Sequence, residues 1–207
     1  MNKIVTLLLF SVLCTNLINA QVEFNNYKTL VSEGDIPADF TRSTYEKLKA
    51  DLKEGRNDLA KKDQIDFLKG THYHIDDILH SGMVIYGDPI SKYIESLAQR
   101  LLKNDKALLQ QLRFYTIKSN SVNAFSTDQG IIFFTTGLIS QVTSEAQLAY
   151  ILGHEISHYT EKHVVETYTW KKVRKNHNFQ IEKLSHYSKD KEFEADRLGI
   201  KFYHNAG

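Results

Sequence analysis

The run His154-Glu155-Ile156-Ser157-His158 sets two imidazoles four residues apart, with a carboxylate directly after the first. In a helix, positions i and i+4 lie on one face about one turn apart, so both rings can reach a single ion at about 2 Å. The carboxylate between them projects beside that face, where it can take a proton from an attacking water instead of ligating. Such a pair becomes useful when a third protein ligand joins it and a fourth position stays open. The chain offers candidates in Lys191-Glu192-Phe193-Glu194-Ala195-Asp196, which begins to supply carboxylates 34 residues after His158. Glu192 and Asp196 are again i and i+4, on one face of a second helix that is predicted to run to about His204. We read Glu192 as the third ligand and Asp196 as the group that orients a ligating imidazole through its other ring nitrogen. Glu194 is the competing choice and points to the opposite side of that helix.

These residues need elements to position them. Ala146 through Gly153 is apolar on nearly every face, which predicts a buried helix leading straight into His154. Ser144-Glu145-Ala146-Gln147 has the pattern of a capping box at its start. Burying His and Glu in such a helix is costly unless something satisfies them, and zinc is the economical explanation. Upstream, Leu112–Ile117 alternates and Gly130–Thr135 is rich in Ile and Phe, so two strands are expected. Ser126-Thr127-Asp128-Gln129 reads as the turn between them. Gly87-Asp88-Pro89 marks an earlier turn, with Pro89 placed to open a helix whose Ile90, Tyr93, Ile94, Leu97, Leu101 and Leu102 recur at helical spacing. From Gln21 to about Gly82 the chain is polar, with Thr41–Glu54 and Asp63–Leu68 as candidate helices in an N-terminal extension. The order of elements is an α+β plan: helices, a small sheet, then a buried helix with ionisable residues.

Composition narrows the function classes. With 207 residues, 42% apolar and 25% charged, the chain can build one ordinary core. A formal net charge of +1 gives no global field for nucleic acid or an anionic membrane. Residues 1–20 read as a secretory signal: Lys3 is a positive n-region, Ile4 to Cys14 is mostly apolar, and Ile18-Asn19-Ala20 ends on a small residue. The expected location is therefore periplasmic or secreted; an uncleaved N-terminal segment tethering the chain to a membrane is the alternative. Residues 21–207 hold no apolar run of the roughly 20 residues needed to span a bilayer. Cys14, the one cysteine, lies inside the signal, so a metal must be held through nitrogen and oxygen.

Gly153-His154-Glu155-Ile156-Ser157-His158 followed by Glu192-Phe193-Glu194-Ala195-Asp196-Arg197-Leu198-Gly199 resembles metallopeptidase family forty-eight. That family includes the HtpX-like, BepA-like, Oma-type and CAAX prenyl endopeptidases. Asn123-Ala124-Phe125 and the run from Gly130 to Leu138 match it as well, so the resemblance covers roughly Ile85 to Gly207. It implies a gluzincin-like domain over residues 83–207, with the active-site helix under a small sheet and substrate extended along the edge strand. It favours Glu192 over Glu194 as zinc ligand, and it makes Asn123 and Ala124 substrate-contact candidates. The lack of spanning segments favours the soluble, BepA-like branch. The stop at Asn205-Ala206-Gly207 reads as a truncation, because members usually continue.

The expectation is thus one zinc ion per chain on His154, His158 and Glu192, Glu155 as general base, and protein or peptide substrates. The rival function is a chaperone-like or scaffold zinc-binding module with little or no proteolysis. His163, nine residues past His154, is expected to face elsewhere if the helix continues, and Lys171-Lys172-Val173-Arg174-Lys175 reads as a solvated helix end.

Overall fold

The computed structural model describes residues 29–34, 36, 61–164 and 187–206. The proposed signal at 1–20, the candidate helix Thr41–Glu54 and the basic run Lys171–Lys175 lie outside the described residues.

Helix α1 (Lys61–His80) leads into the short strand β1 (Val84–Ile85). It begins two residues before the Asp63–Leu68 segment expected to be helical and runs twelve residues past its end. Helix α2 (Pro89–Leu101) begins where its sequence says it should, with Pro89 in the first turn. The Asp88 carboxylate accepts the N–H groups of Ile90 and Ser91 at 2.9 and 3.0 Å, satisfying donors that the first turn leaves without helical partners. Asp88 also accepts from the hydroxyls of Ser91 at 2.5 Å and Thr116 at 3.3 Å, so one buried carboxylate ties the helix to the sheet.

After the short helix α3 (Lys106–Gln111) come β2 (Arg113–Ile117), β3 (Ala124–Ser126) and β4 (Ile131–Thr135). Two strands were expected here from their patterning; β3 lies where the resemblance put the edge strand, and its last residue, Ser126, is the first of the expected turn. The sheet order is β1-β2-β4-β3. Strands β2 and β4 run parallel, with Phe114 opposite Ile132 and Thr116 opposite Phe134. Strand β3 lies antiparallel to β4, pairing Ala124 with Phe134 and Ser126 with Ile132, and forms one edge of the sheet.

The period-two alternation of β4 divides its side chains between two cores. Ile132 and Phe134 pack with Ile94 and Leu97 of α2 and with buried residues of a later helix, Leu148, Leu152 and Ile156. Ile131 and Phe133 face the other way, against Ile75 and Leu79 of α1 and Val84 and Tyr86. Coverage on both faces is why the strand reads as an unbroken apolar run.

Helix α4 (Thr136–Gln141) precedes α5 (Glu145–Thr160), which carries the two histidines, and α6 (Lys189–Ala206) carries the downstream acids. The α5 cap departs from the expected reciprocal box. The Ser144 hydroxyl accepts the Gln147 N–H at 3.2 Å, but the Gln147 carbonyl accepts from the N–H and hydroxyl of Thr143 at 2.9 and 3.0 Å. Among the described residues, no helix is long and apolar enough to cross a membrane. The fold is mostly helical with a small mixed sheet.

Candidate metal centre

Helix α5 turns one face of its last turns toward α6. On that face the Nε2 atoms of His154 and His158 lie 2.9 Å apart. From α6, Glu192 Oε2 approaches the same point, 3.4 Å from His154 Nε2 and 3.9 Å from His158 Nε2. The ligand atoms of these three residues all lie within 4.8 Å of one another, and they are the one such group among the described residues. Two imidazole nitrogens and one carboxylate oxygen, each able to sit about 2 Å from a common point, suit a borderline cation such as zinc.

Polar partners fix the ring of His154. Its Nδ1 lies 2.9 Å from Asp196 Oδ1, and the same oxygen accepts the Tyr150 hydroxyl at 2.7 Å. A carboxylate acceptor requires the proton on Nδ1, which leaves the Nε2 lone pair facing the site. His158 is buried and stacks on Tyr187, with ring centroids 4.0 Å apart and planes 21° from parallel. Burial, followed by repulsion from His154 and His163, pushes its pKa down to about 3, so the ring is neutral at neutral pH.

Glu155 sits on the flank of the same helix and is only 7% exposed. Burial, with the nearby Glu192 carboxylate as the second cause, pushes its pKa up to about 8. The hydroxyl and N–H of Ser126, on edge strand β3, oppose that rise. With no cation beside it, Glu155 is therefore mostly protonated at neutral pH, close to the sheet edge, and its carboxylate form has a raised affinity for a proton. That is the poise of a general base.

Comparison with known proteins bears on this centre. Residues 90–182 match the family described as Peptidase family M48. Over 92 residues the chain is 29% identical to the beta-barrel assembly-enhancing protease of Yersinia pestis, a stretch that is 44% of this chain and 19% of that protein. The figures are the same for the beta-barrel assembly-enhancing protease of Escherichia coli K12. Over 80 residues it is 31% identical to the mitochondrial metalloendopeptidase OMA1 of Danio rerio, covering 37% of this chain and 17% of that protein. Residues 90–182 are thus the part of the chain that is similar to M48 peptidases. The matched stretch spans about a fifth of the length of these curated relatives.

The M48 match holds His154, Glu155 and His158 but ends at residue 182, so Glu192 and Asp196 come from beyond it. Two glycines bring them in. A Cβ on Gly153 would stand 2.9 Å from the Gly199 carbonyl oxygen, and one on Gly199 would stand 2.8 Å from the His154 backbone nitrogen. The α5 and α6 backbones therefore touch beside His154, and Glu192, two turns before Gly199, reaches the histidine pair. Glycine inside a helix costs about 1 kcal/mol, so two of them flanking the ligand motifs were a readable sign of close helix packing.

The structure places the other expected residues as follows. Asn123 is exposed, and its backbone is tied to Thr135 through an N–H···Oγ1 bond of 3.1 Å and a carbonyl that accepts the Thr135 N–H at 3.1 Å. Ala124 opens β3 at the sheet edge and is half-buried. His163 was expected to face elsewhere if the helix continued, and the helix does not continue to it. Helix α5 ends at Thr160, and Lys162 adopts φ 57°, so the chain reverses before His163. The reversed ring packs against His158, with Nδ1 atoms 2.8 Å apart. Tyr187, which stacks on His158, was also missed; an aromatic five residues before a ligand carries no spacing signal of its own.

Proposed function

We propose that this chain is a zinc-dependent metalloendopeptidase with a gluzincin-like active site that hydrolyses peptide bonds of exported proteins, in the quality control of envelope or secreted proteins. One observation carries the reading: two imidazoles and a carboxylate from separate helices converge on one point beside a buried carboxyl with a raised pKa. A purely structural site has no use for Glu155 at that position.

His154, His158 and Glu192 would hold the ion, with Asp196 orienting His154. When bound, zinc supplies Lewis-acid polarisation of the peptide carbonyl and makes water acidic enough to react near neutral pH. Glu155 takes the proton of the attacking water and later returns it to the leaving amine. An ionised Glu155 is required for the first step, and a neighbouring cation favours that form. Substrate lies extended along the outer edge of β3, where backbone N–H and C=O groups from Ala124 onward bind with little dependence on sequence, while Asn123, whose backbone is tied to Thr135, offers its exposed side chain. The signal-like residues 1–20 support a periplasmic or secreted location. The name of the bacterial relatives, assembly-enhancing proteases for β-barrels, supports envelope proteins as the substrate class.

Casein hydrolysis by the purified chain, before and after chelation, tests the reading. Activity lost to chelator and restored by one equivalent of zinc is expected; hydrolysis that continues undiminished in chelator would contradict it.

A further inference from the structure

His163 is a buried titratable group that this chemistry leaves without a task; it is 1% exposed. The left-handed turn at Lys162, a conformation that side-chain-bearing residues rarely adopt, carries it back beneath α5. There it occupies a fixed place in a chain of polar contacts. Its Nδ1 lies 2.8 Å from His158 Nδ1, and its Nε2 lies 3.4 Å from Glu194 Oε2. The Lys191 ammonium donates to its backbone carbonyl at 3.3 Å, and Tyr187 packs against both rings.

With both rings neutral, one proton arrangement satisfies all of these contacts. The Glu194 carboxylate can only accept, so His163 carries its proton on Nε2. The bare Nδ1 of His163 then accepts the Nδ1–H of His158. That leaves the Nε2 lone pair of His158 directed at His154 and Glu192, where an ion would sit. The two ligating rings are thus anchored in parallel ways, His154 by Asp196 directly and His158 by Glu194 through an intervening imidazole.

We propose that His163, held by Glu194, is the positioning residue for His158, fixing the tautomer and ring orientation in which His158 ligates. It gives a purpose to both the strained reversal at Lys162 and the acid that lost the competition to be third ligand. Groups that hold ligating imidazoles typically account for 10- to 100-fold in metal affinity. The inference rests on the zinc reading above.

The test uses the full chain, zinc competition against a chromophoric chelator, and the visible spectrum of the cobalt-substituted protein. Thermal unfolding of the zinc-free forms reports whether each variant folds. Glu194→Gln, at a partly exposed site, is expected to fold as the parent does and to weaken zinc about 10-fold. His163→Ala is expected to weaken it up to about 100-fold, to shift the cobalt bands, and to leave little further effect for Glu194→Gln in the same chain. His163→Asn, whose amide oxygen can still accept from His158, should recover part of the loss. Parent-like zinc affinity and cobalt bands in folded His163→Ala and Glu194→Gln would overturn the inference, as would losses that add in full. If His163→Ala does not fold, Glu194→Gln decides by the same criterion. A parent chain that binds no zinc would overturn the metal reading itself, and this inference with it.

Discussion

Replacing Glu155 by Gln should stabilise the metal-free chain at neutral pH, the opposite of what losing a buried polar contact would do. In the folded chain the carboxyl pKa is pushed up to about 8, against 4.5 for an ordinary glutamate. Between those values the unfolded chain carries a carboxylate while the folded chain holds the proton. Folded-state stability from this group is therefore full below about pH 4.5 and falls as pH rises toward 8. At about 1.4 kcal/mol per unit, the deficit at pH 7 is on the order of 3 kcal/mol. A neutral amide of the same shape removes that deficit. At roughly 2–4 °C per kcal/mol for a domain of this size, the variant should unfold about 6–12 °C higher at pH 7 in chelator. The advantage should vanish near pH 4 and shrink when zinc is added, because a nearby cation favours the carboxylate. Circular dichroism melts of both proteins at pH 4, 5.5 and 7 check this. A variant no more stable than the parent at pH 7, or a difference that ignores pH, would refute the account of Glu155 as a carboxyl strained by burial.

Other consequences concern the elements that build the site. Gly199→Ala places a Cβ against the His154 backbone nitrogen, so α6 must shift; a loss of about 1–3 kcal/mol in denaturant melts is expected, with weaker zinc binding. Asp196→Asn puts an amide where the carboxylate anchors His154 and Tyr150, and should lower zinc affinity about 10- to 100-fold in chelator competition. Asp88→Ala removes the α2 cap and leaves the hydroxyls of Ser91 and Thr116 without that partner, which should cost about 2–3 kcal/mol while sparing zinc affinity.

The residues that converge in the structure were the ones whose spacing has a fixed geometric meaning. An i, i+4 pair must share a helix face, so His154 with His158 and Glu192 with Asp196 could be paired on sequence alone, and the structure brings both pairs to one place. Pro89 after Asp88 marked the start of α2 for an equally local reason. The contribution of His163 was hidden because the reversal that delivers it is made by a lysine at φ 57°, where glycine or asparagine would have announced a turn. Strand β3 was legible only through the family resemblance, which put an edge strand at Asn123-Ala124-Phe125, because three residues are too few for an alternating pattern. The packing of Ile75 and Leu79 on the far face of the sheet depends on a tertiary contact that local spacing does not encode.

The central claim is that His154, His158 and Glu192 hold zinc while Glu155 performs the proton transfer. It is tested most directly by measuring metal content and casein hydrolysis together in the Glu155→Gln variant. The account predicts one zinc per chain, as in the parent, with hydrolysis reduced at least about 100-fold. Parent-like hydrolysis by the variant, or loss of its zinc with the fold intact, would contradict it.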